Sequence, residues 1–143
     1  MAHLQKIHLA LFQDIYDWAG EIRTVDISRG NSRFANVRFI ESAAHEIFNR
    51  LARENWLKHL DPNALSERLA HYLSEINALH PFREGNGRAQ RIFISQLSQA
   101  AGYQLDYSDL QQKQIYQGME LAFNGDESVL AKLILERLEQ FES

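Results

Sequence analysis

The residues from His80 to Arg91, HPFREGNGRAQR, carry the densest chemistry in this 143-residue chain. Gly85 and Gly87 flank Asn86 just before apolar helical periodicity resumes. Helix N-termini present unpaired N–H groups and a partial positive charge, and so attract anions. Glycines there let backbone approach a phosphate with no Cβ in the way, and the Asn86 side chain can add a donor. Arg88 and Arg91 stand three apart on the new helix, so both guanidinium forks can face one side. Two such forks beside an anion nest suit a polyphosphate. Glu84 would repel phosphates unless Mg2+ lay between them, and Mg2+ commonly takes one or two carboxylates with phosphate oxygens and water. A neutral His80 at the edge of the loop could take the proton of an attacking hydroxyl. Together these groups describe transfer from a nucleoside triphosphate to an alcohol or phenol. The residues alone leave a second reading open, a capped loop with surface arginines.

The elements that must position this loop are helical. Leu4, Ile7, Leu11, Ile15 and Trp18 recur at helical spacing until Gly20 offers a stop. Val25 and Ile27 then alternate with polar residues, Arg29-Gly30-Asn31-Ser32 is turn chemistry, and Phe34 and Val37 follow. This predicts a small β-hairpin, which is marginal alone and must lean on the helices. Ile40, Ala43, Ala44, Ile47, Phe48 and Leu51 predict a second helix. Asp61-Pro62 is an N-cap with proline at the first helical position. Leu65, Leu69, Leu73 and Ile76 carry that third helix to about Leu79, where Pro81 ends it. Ile92, Phe93, Leu97 and Ala100 predict a fourth, closed by Gly102. Ser108 with Gln111 resembles a capping box for a fifth. Asp126 can cap a sixth, with Val129, Leu130, Leu133, Leu138 and Phe141 on its apolar side. Trp18 and Phe93 read as core.

Composition sets outer bounds. The chain is 45% hydrophobic and 24% charged with only two prolines, which reads as one globular domain able to bury a core. A net charge of −4 lacks the basic excess of a general nucleic-acid binder. The absence of cysteine excludes disulfides and thiolate metal sites. No apolar run reaches the roughly 18–20 residues of a membrane span, and no secretory leader is visible. The expected location is the cytoplasm. The helical pattern begins almost at Met1, which leaves a longer parent protein open.

The quoted stretch matches, at every specified position, the signature of the Fic family, His-x-Phe-x-(Asp/Glu)-Gly-Asn-Gly-Arg-x-x-Arg. LFQDIYDWAGEIRTVDISRGNSRF resembles the entry helix and flap of bacterial Fic proteins. The resemblance covers most of the chain. It implies one Fic domain over residues 1–143, mainly α, a bundle of about six helices with a small β-hairpin flap. It implies transfer of AMP from ATP to a Ser, Thr or Tyr hydroxyl of a target protein, with Mg2+. By position, His80 resembles the base that deprotonates the target hydroxyl, and Phe82 the buried anchor of the loop. Glu84 resembles the Mg2+ ligand. Gly85, Asn86 and Gly87 resemble the anion hole, and Arg88 and Arg91 the polyphosphate contacts. The hairpin, with Asp26, Ile27, Ser28, Arg33 and Phe34, resembles the flap that holds a target segment by strand addition.

Many Fic proteins are restrained by a motif (Ser/Thr)-x-x-x-Glu-(Gly/Asn), whose glutamate pairs with the second signature arginine, here Arg91. Ser42 to Glu46 comes near it, but Ile47 breaks it and it lies just after the flap. The resemblance therefore implies a brake supplied in trans, by an antitoxin or by a segment outside this chain. Transfer of phosphate or phosphocholine is the alternative within enzymes, and the Gly87-Arg88 pair favours AMP over it. A silent docking domain is the alternative outside them, against which stand His80 and Glu84. His3, His8, His45, His59 and His71 have no partner at a convincing metal spacing and read as surface or packing residues. Arg29, Arg33 and Arg38 read as a solvated hairpin face.

Overall fold

The computed structural model describes residues 1–29 and 32–141. Six α-helices form the described body: α1 (Ala2–Phe12), α2 (Ile40–Arg53), α3 (Pro62–Leu79), α4 (Asn86–Ala100), α5 (Gln112–Phe123) and α6 (Ser128–Leu135). Two antiparallel strand pairs accompany them. β1 (Ser28–Arg29) pairs with β2 (Ser32–Arg33), and β3 (Tyr103–Leu105) with β4 (Leu138–Gln140). Among the described residues no helix is long and apolar enough to cross a membrane.

The bundle is built around α3, which packs against α2, α4, α5 and α6. Asp61 starts it by accepting the Ala64 N–H at 2.8 Å, with Pro62 at the first position, where a missing N–H costs nothing. Leu65, Leu69, Leu73 and Ile76 are buried, and so are Ala70 and Tyr72 on other sides. A helix buried nearly all round is the centre of a core rather than one wall of it. Each fully buried leucine removes about 1.5–3 kcal/mol of apolar surface energy from water. α2 shows the amphipathic alternative, with Ile40, Ala44, Ile47 and Leu51 inward and its charges outward.

Five boundaries differ from the sequence expectation. α1 stops at Phe12 instead of continuing to Trp18, and Ile15, expected on its apolar face, is 67% exposed. The chain turns there because the Gly20 N–H is held by His8 and the Gly20 carbonyl by Gln5. The hairpin strands are two residues each, so Val25 and Ile27 lie outside them, and Val25 is exposed. Gly30 and Asn31, at the expected turn, lie outside the described residues. The capping box of α5 is Gln111 with Gln114, while Ser108 instead donates its N–H to Asp106. Finally, α6 ends at Leu135 and Phe141 is exposed, because Leu138–Gln140 pairs with the open edge of β3. The N-cap of α6 is Glu127 and not the expected Asp126, which lies one residue earlier and accepts the Ser128 N–H at 3.0 Å.

Candidate active site

His80 closes α3. Its N–H still donates to the Ile76 carbonyl at 2.9 Å, but its backbone is left-handed, with φ 46°. Histidine is among the few non-glycine types that take this region with some ease, and Pro81 forbids a further helical turn. The imidazole lies flat on Phe34, ring centres 3.8 Å apart and planes within 10°. Nδ1 is 3.3 Å from the Asn77 carbonyl oxygen, which can only accept, so Nδ1 carries the proton and Nε2 keeps a lone pair. The residue is 8% exposed. Burial pushes its pKa down to about 4, with Arg29 and Arg23 adding to the fall and the Asn77 hydrogen bond opposing it. An ordinary histidine titrates near 6.5, so this ring stays neutral, and able to accept a proton, well into acid.

That depression makes an expected result. Followed by NMR of the ring protons, His80 should titrate with a midpoint near 4, and Phe34→Ala should move the midpoint upward by letting water reach the ring. The folded chain then binds fewer protons than the unfolded chain between pH 4 and 6.5, so this group makes stability fall as pH drops through that window. A midpoint at the ordinary value in the unaltered chain would show an open ring and remove the argument.

The loop beyond His80 is folded upon itself. Asn86, 3% exposed, accepts the Phe82 N–H through Oδ1 at 2.9 Å and donates Nδ2–H to the Phe82 carbonyl at 2.7 Å. The expectation that its side chain would reach out to a phosphate is corrected here: that side chain is turned inward and holds the loop closed. Phe82 is fully buried, as expected of an anchor, and stacks on His8 at 3.9 Å. Gly85, at φ 80°, is the N-cap of α4, and a Cβ there would come within 2.3 Å of the Phe12 ring. Its need for glycine is thus steric and conformational on the protein side. No side chain caps α4. Its first-turn N–H groups are left as donors for an anion.

Arg91 folds back over this turn, since a Cβ on Gly87 would meet its Nη1 at 3.0 Å. Arg88 is exposed, its guanidinium 5.4 Å from the Phe12 ring centre. Among the described residues no carboxylate forms an ion pair with either arginine. Both line a cavity of about 330 Å³ that continues along α4 to Ser95, Gln99 and Tyr107.

Glu84 is exposed, and its Oε2 accepts the Tyr16 hydroxyl at 2.7 Å. Among the described residues no group of three acidic or histidine side chains could hold a metal by itself. One reachable carboxylate beside an uncapped helix start fits a Mg2+ ion that arrives with phosphates, which needs few protein ligands.

The sequence profile of the Fic/DOC family matches residues 1–98. The chain belongs to the Fic/DOC family. It is 45% identical over 139 residues to the protein adenylyltransferase VbhT of Bartonella schoenbuchensis, covering 97% of this chain and 29% of VbhT. It is 43% identical over 130 residues to the Escherichia coli K12 protein named "Probable protein adenylyltransferase Fic", covering 91% of this chain and 65% of that protein. The chain thus spans less than two thirds of the length of either relative. Its fold is similar to the crystal structure of the VirB-translocated effector BepC from Bartonella tribocorum with bound AMPPNP, at TM-score 0.91 and 27% identity, covering 99% of this chain and 75% of that one.

The Fic loop has supports that the sequence did not reveal. His8, expected to be a packing or surface residue, is fully buried and does more than pack. Its Nε2–H donates to the Glu84 carbonyl at 2.7 Å, and its Nδ1 accepts the Gly20 N–H at 2.9 Å. Burial holds its pKa below the ordinary value, against the pull of the Glu84 bond. Trp18 is half-buried, stacked on Tyr16 with ring centres 4.3 Å apart, and the Arg83 guanidinium lies 5.4 Å from the Trp18 ring centre. His71 does have carboxylate neighbours, Glu75 and Glu127, away from this loop.

On the flap, Phe34 reaches the site, while Asp26, though exposed, is engaged within the flap itself. Asp26 accepts the Val37 N–H at 2.8 Å and the Asn36 amide at 3.2 Å, tying the two arms together. Ser28 and Arg33 are paired partners in the β1–β2 register, and Phe34 donates its N–H to the Ile27 carbonyl at 3.4 Å. Nothing but the family likeness could have drawn attention to His8 or Tyr16, since each is a single residue far from the loop in sequence.

Proposed function

We propose that this chain is a protein adenylyltransferase domain that moves AMP from ATP to a Ser, Thr or Tyr hydroxyl of a target protein. One observation carries the reading: a buried, neutral His80 with its Nε2 lone pair available stands at one edge of a loop whose other edge is an uncapped helix start. In the proposed reaction the target oxygen forms a bond to the α-phosphorus while the bridging bond to the β-phosphate breaks. Pyrophosphate leaves and the hydroxyl proton passes to His80 Nε2. The first-turn N–H groups at Asn86 and Gly87 receive phosphate charge, with Arg88 and Arg91 on the β- and γ-phosphates. Asn86 acts through its backbone, since its side chain is occupied. Glu84 would hold Mg2+, which when bound supplies neutralising charge between the carboxylate and the phosphates. Flap residues Ile27, Ser28, Arg33 and Phe34 would align the target segment by strand addition. VbhT and its relatives bear the adenylyltransferase name, and BepC was crystallised with AMPPNP. Both support the assignment.

A partner belongs to this proposal. Arg91 has no carboxylate neighbour among the described residues, so a helix carrying Ser/Thr-x-x-x-Glu, supplied by an antitoxin or another segment, could take its guanidinium in place of the γ-phosphate. The toxin role, the cytoplasmic location and delivery into a host all rest on the same proposal.

The test is the fate of labelled ATP. The chain with Mg2+, a cell lysate and α-labelled ATP should label a protein on a hydroxyl residue, and γ-labelled ATP should not. Label from the γ position would instead mean kinase chemistry, and label from neither would mean a docking domain.

A further inference from the structure

Arg23 carries a charge that is sealed from solvent, its side chain 0% exposed. Nε donates to the His80 carbonyl at 2.7 Å, and Nη2 to the Leu79 carbonyl at 3.2 Å and the Ala35 carbonyl at 2.5 Å. Nη1 donates to the Val25 carbonyl at 2.7 Å. Two of these acceptors are the end of α3, and the other two are the feet of the flap, one on each arm. Backbone bonds run alongside: Arg23 N–H to the Pro81 carbonyl and Ala35 N–H to the Ala78 carbonyl, both at 2.9 Å.

The charge has little carboxylate support. Asp26 is 3.9 Å away, 59% exposed, and committed to Val37 and Asn36. What balances the guanidinium is the cluster of carbonyls at a helix C-terminus, the negative end of the macrodipole. Burying a charge is costly, and merely ending a helix does not require it, since a glycine at the left-handed position would do. The arrangement makes sense as a joint. A planar fork with five fixed N–H groups can hold carbonyls from several segments at set distances, whereas a lysine ammonium is a single point with three donors.

We infer that Arg23 is a positioning residue that fixes the flap relative to His80, so that a hydroxyl laid along the flap meets the imidazole. It touches no reacting atom and acts through the His80 carbonyl and the two flap feet. The inference rests on the proposed transfer to a flap-bound target.

The experiment combines Arg23→Lys with hydrogen exchange on the unaltered chain. Lysine keeps the charge and cannot span the four carbonyls. A misplacement on the order of 1 Å costs roughly 10²-fold in rate, so kcat for a protein target should fall by about that factor. KM for ATP should stay within about threefold, because the α4 anion site is untouched. The His80 ring resonance and its titration midpoint should shift in the same variant, although the nearby charge is unchanged. A purely structural role would lower the melting temperature while leaving kcat and the His80 titration at parent values below that temperature, and this result overturns the inference. Should the lysine variant not fold, the unaltered chain decides. The amide protons of Arg23, Ala35 and His80 should exchange through one opening, with protection within about tenfold of each other. Ala35 opening on its own, roughly 10²-fold faster than His80, overturns the coupling. If the unaltered chain transfers no AMP, the proposed activity falls, while the exchange pattern still decides whether Arg23 joins flap and helix.

Discussion

Replacing His80 with alanine should lower AMP transfer by about 10²–10⁴-fold, the usual contribution of a positioned general base. Nucleotide affinity should change little, because the anion donors belong to α4 and no side chain of α3 is needed to orient them. The alanine variant has one confounding effect. His80 sits at φ 46°, a conformation that histidine tolerates better than alanine, and its ring covers Phe34. His80→Asn separates the two effects, since asparagine accepts the left-handed backbone and has no comparable base. Both variants should be equally inactive, and the asparagine one should melt closer to the parent. Single-turnover transfer with saturating ATP is the measurement. Transfer by the asparagine variant at the parent rate would remove His80 from the chemistry.

Glu84→Ala should reverse the effect of Mg2+ on ATP binding. In the absence of metal, Glu84 is a carboxylate beside the helix start where phosphates are expected, so its removal should strengthen binding of bare ATP by relieving repulsion. In the presence of Mg2+, removal takes away the protein ligand and should weaken binding by about tenfold or more. Transfer should fall with it. Calorimetric titration of ATP with Mg2+ and with chelator reads both arms. Tighter Mg-dependent binding in the variant would show that Glu84 is a solvated loop residue, with Tyr16 as its only business.

The loop was legible in the sequence because its chemistry is contiguous. One short string holds base, carboxylate, nest and arginines, and the glycines mark where the next helix must begin. The helices α2, α3 and α4 were legible for a related reason: their apolar spacing and the Asp61-Pro62 cap are local signals. What escaped was non-local. The His8 contact to Glu84 spans 76 residues of sequence, and the Arg23 contact to His80 spans 57. No periodicity encodes such a pairing. The aromatic residues after Phe12 fell at spacings that continue a helix, yet the structure uses them as a stack beside the loop. Leu138 sat four residues beyond Ile134, as a helix would have it, but the unpaired edge of β3 claimed it. The inward turn of Asn86 was hidden for a different reason. An amide that could donate to a ligand could equally close a ring with its own loop, and composition does not distinguish the two.

The loop's dependence on His8 has a genetic consequence. His8 holds the Glu84 carbonyl with one nitrogen, the Gly20 amide with the other, and lies against Phe82 with its face. Each bond needs the neutral ring in a single tautomer, so no other side chain replaces all three contacts at once. Spontaneous inactivating lesions in such a gene are therefore not confined to the codons of the signature. The proposed transfer would be silenced through the eighth codon, and the resulting protein would still display every residue by which its family is diagnosed.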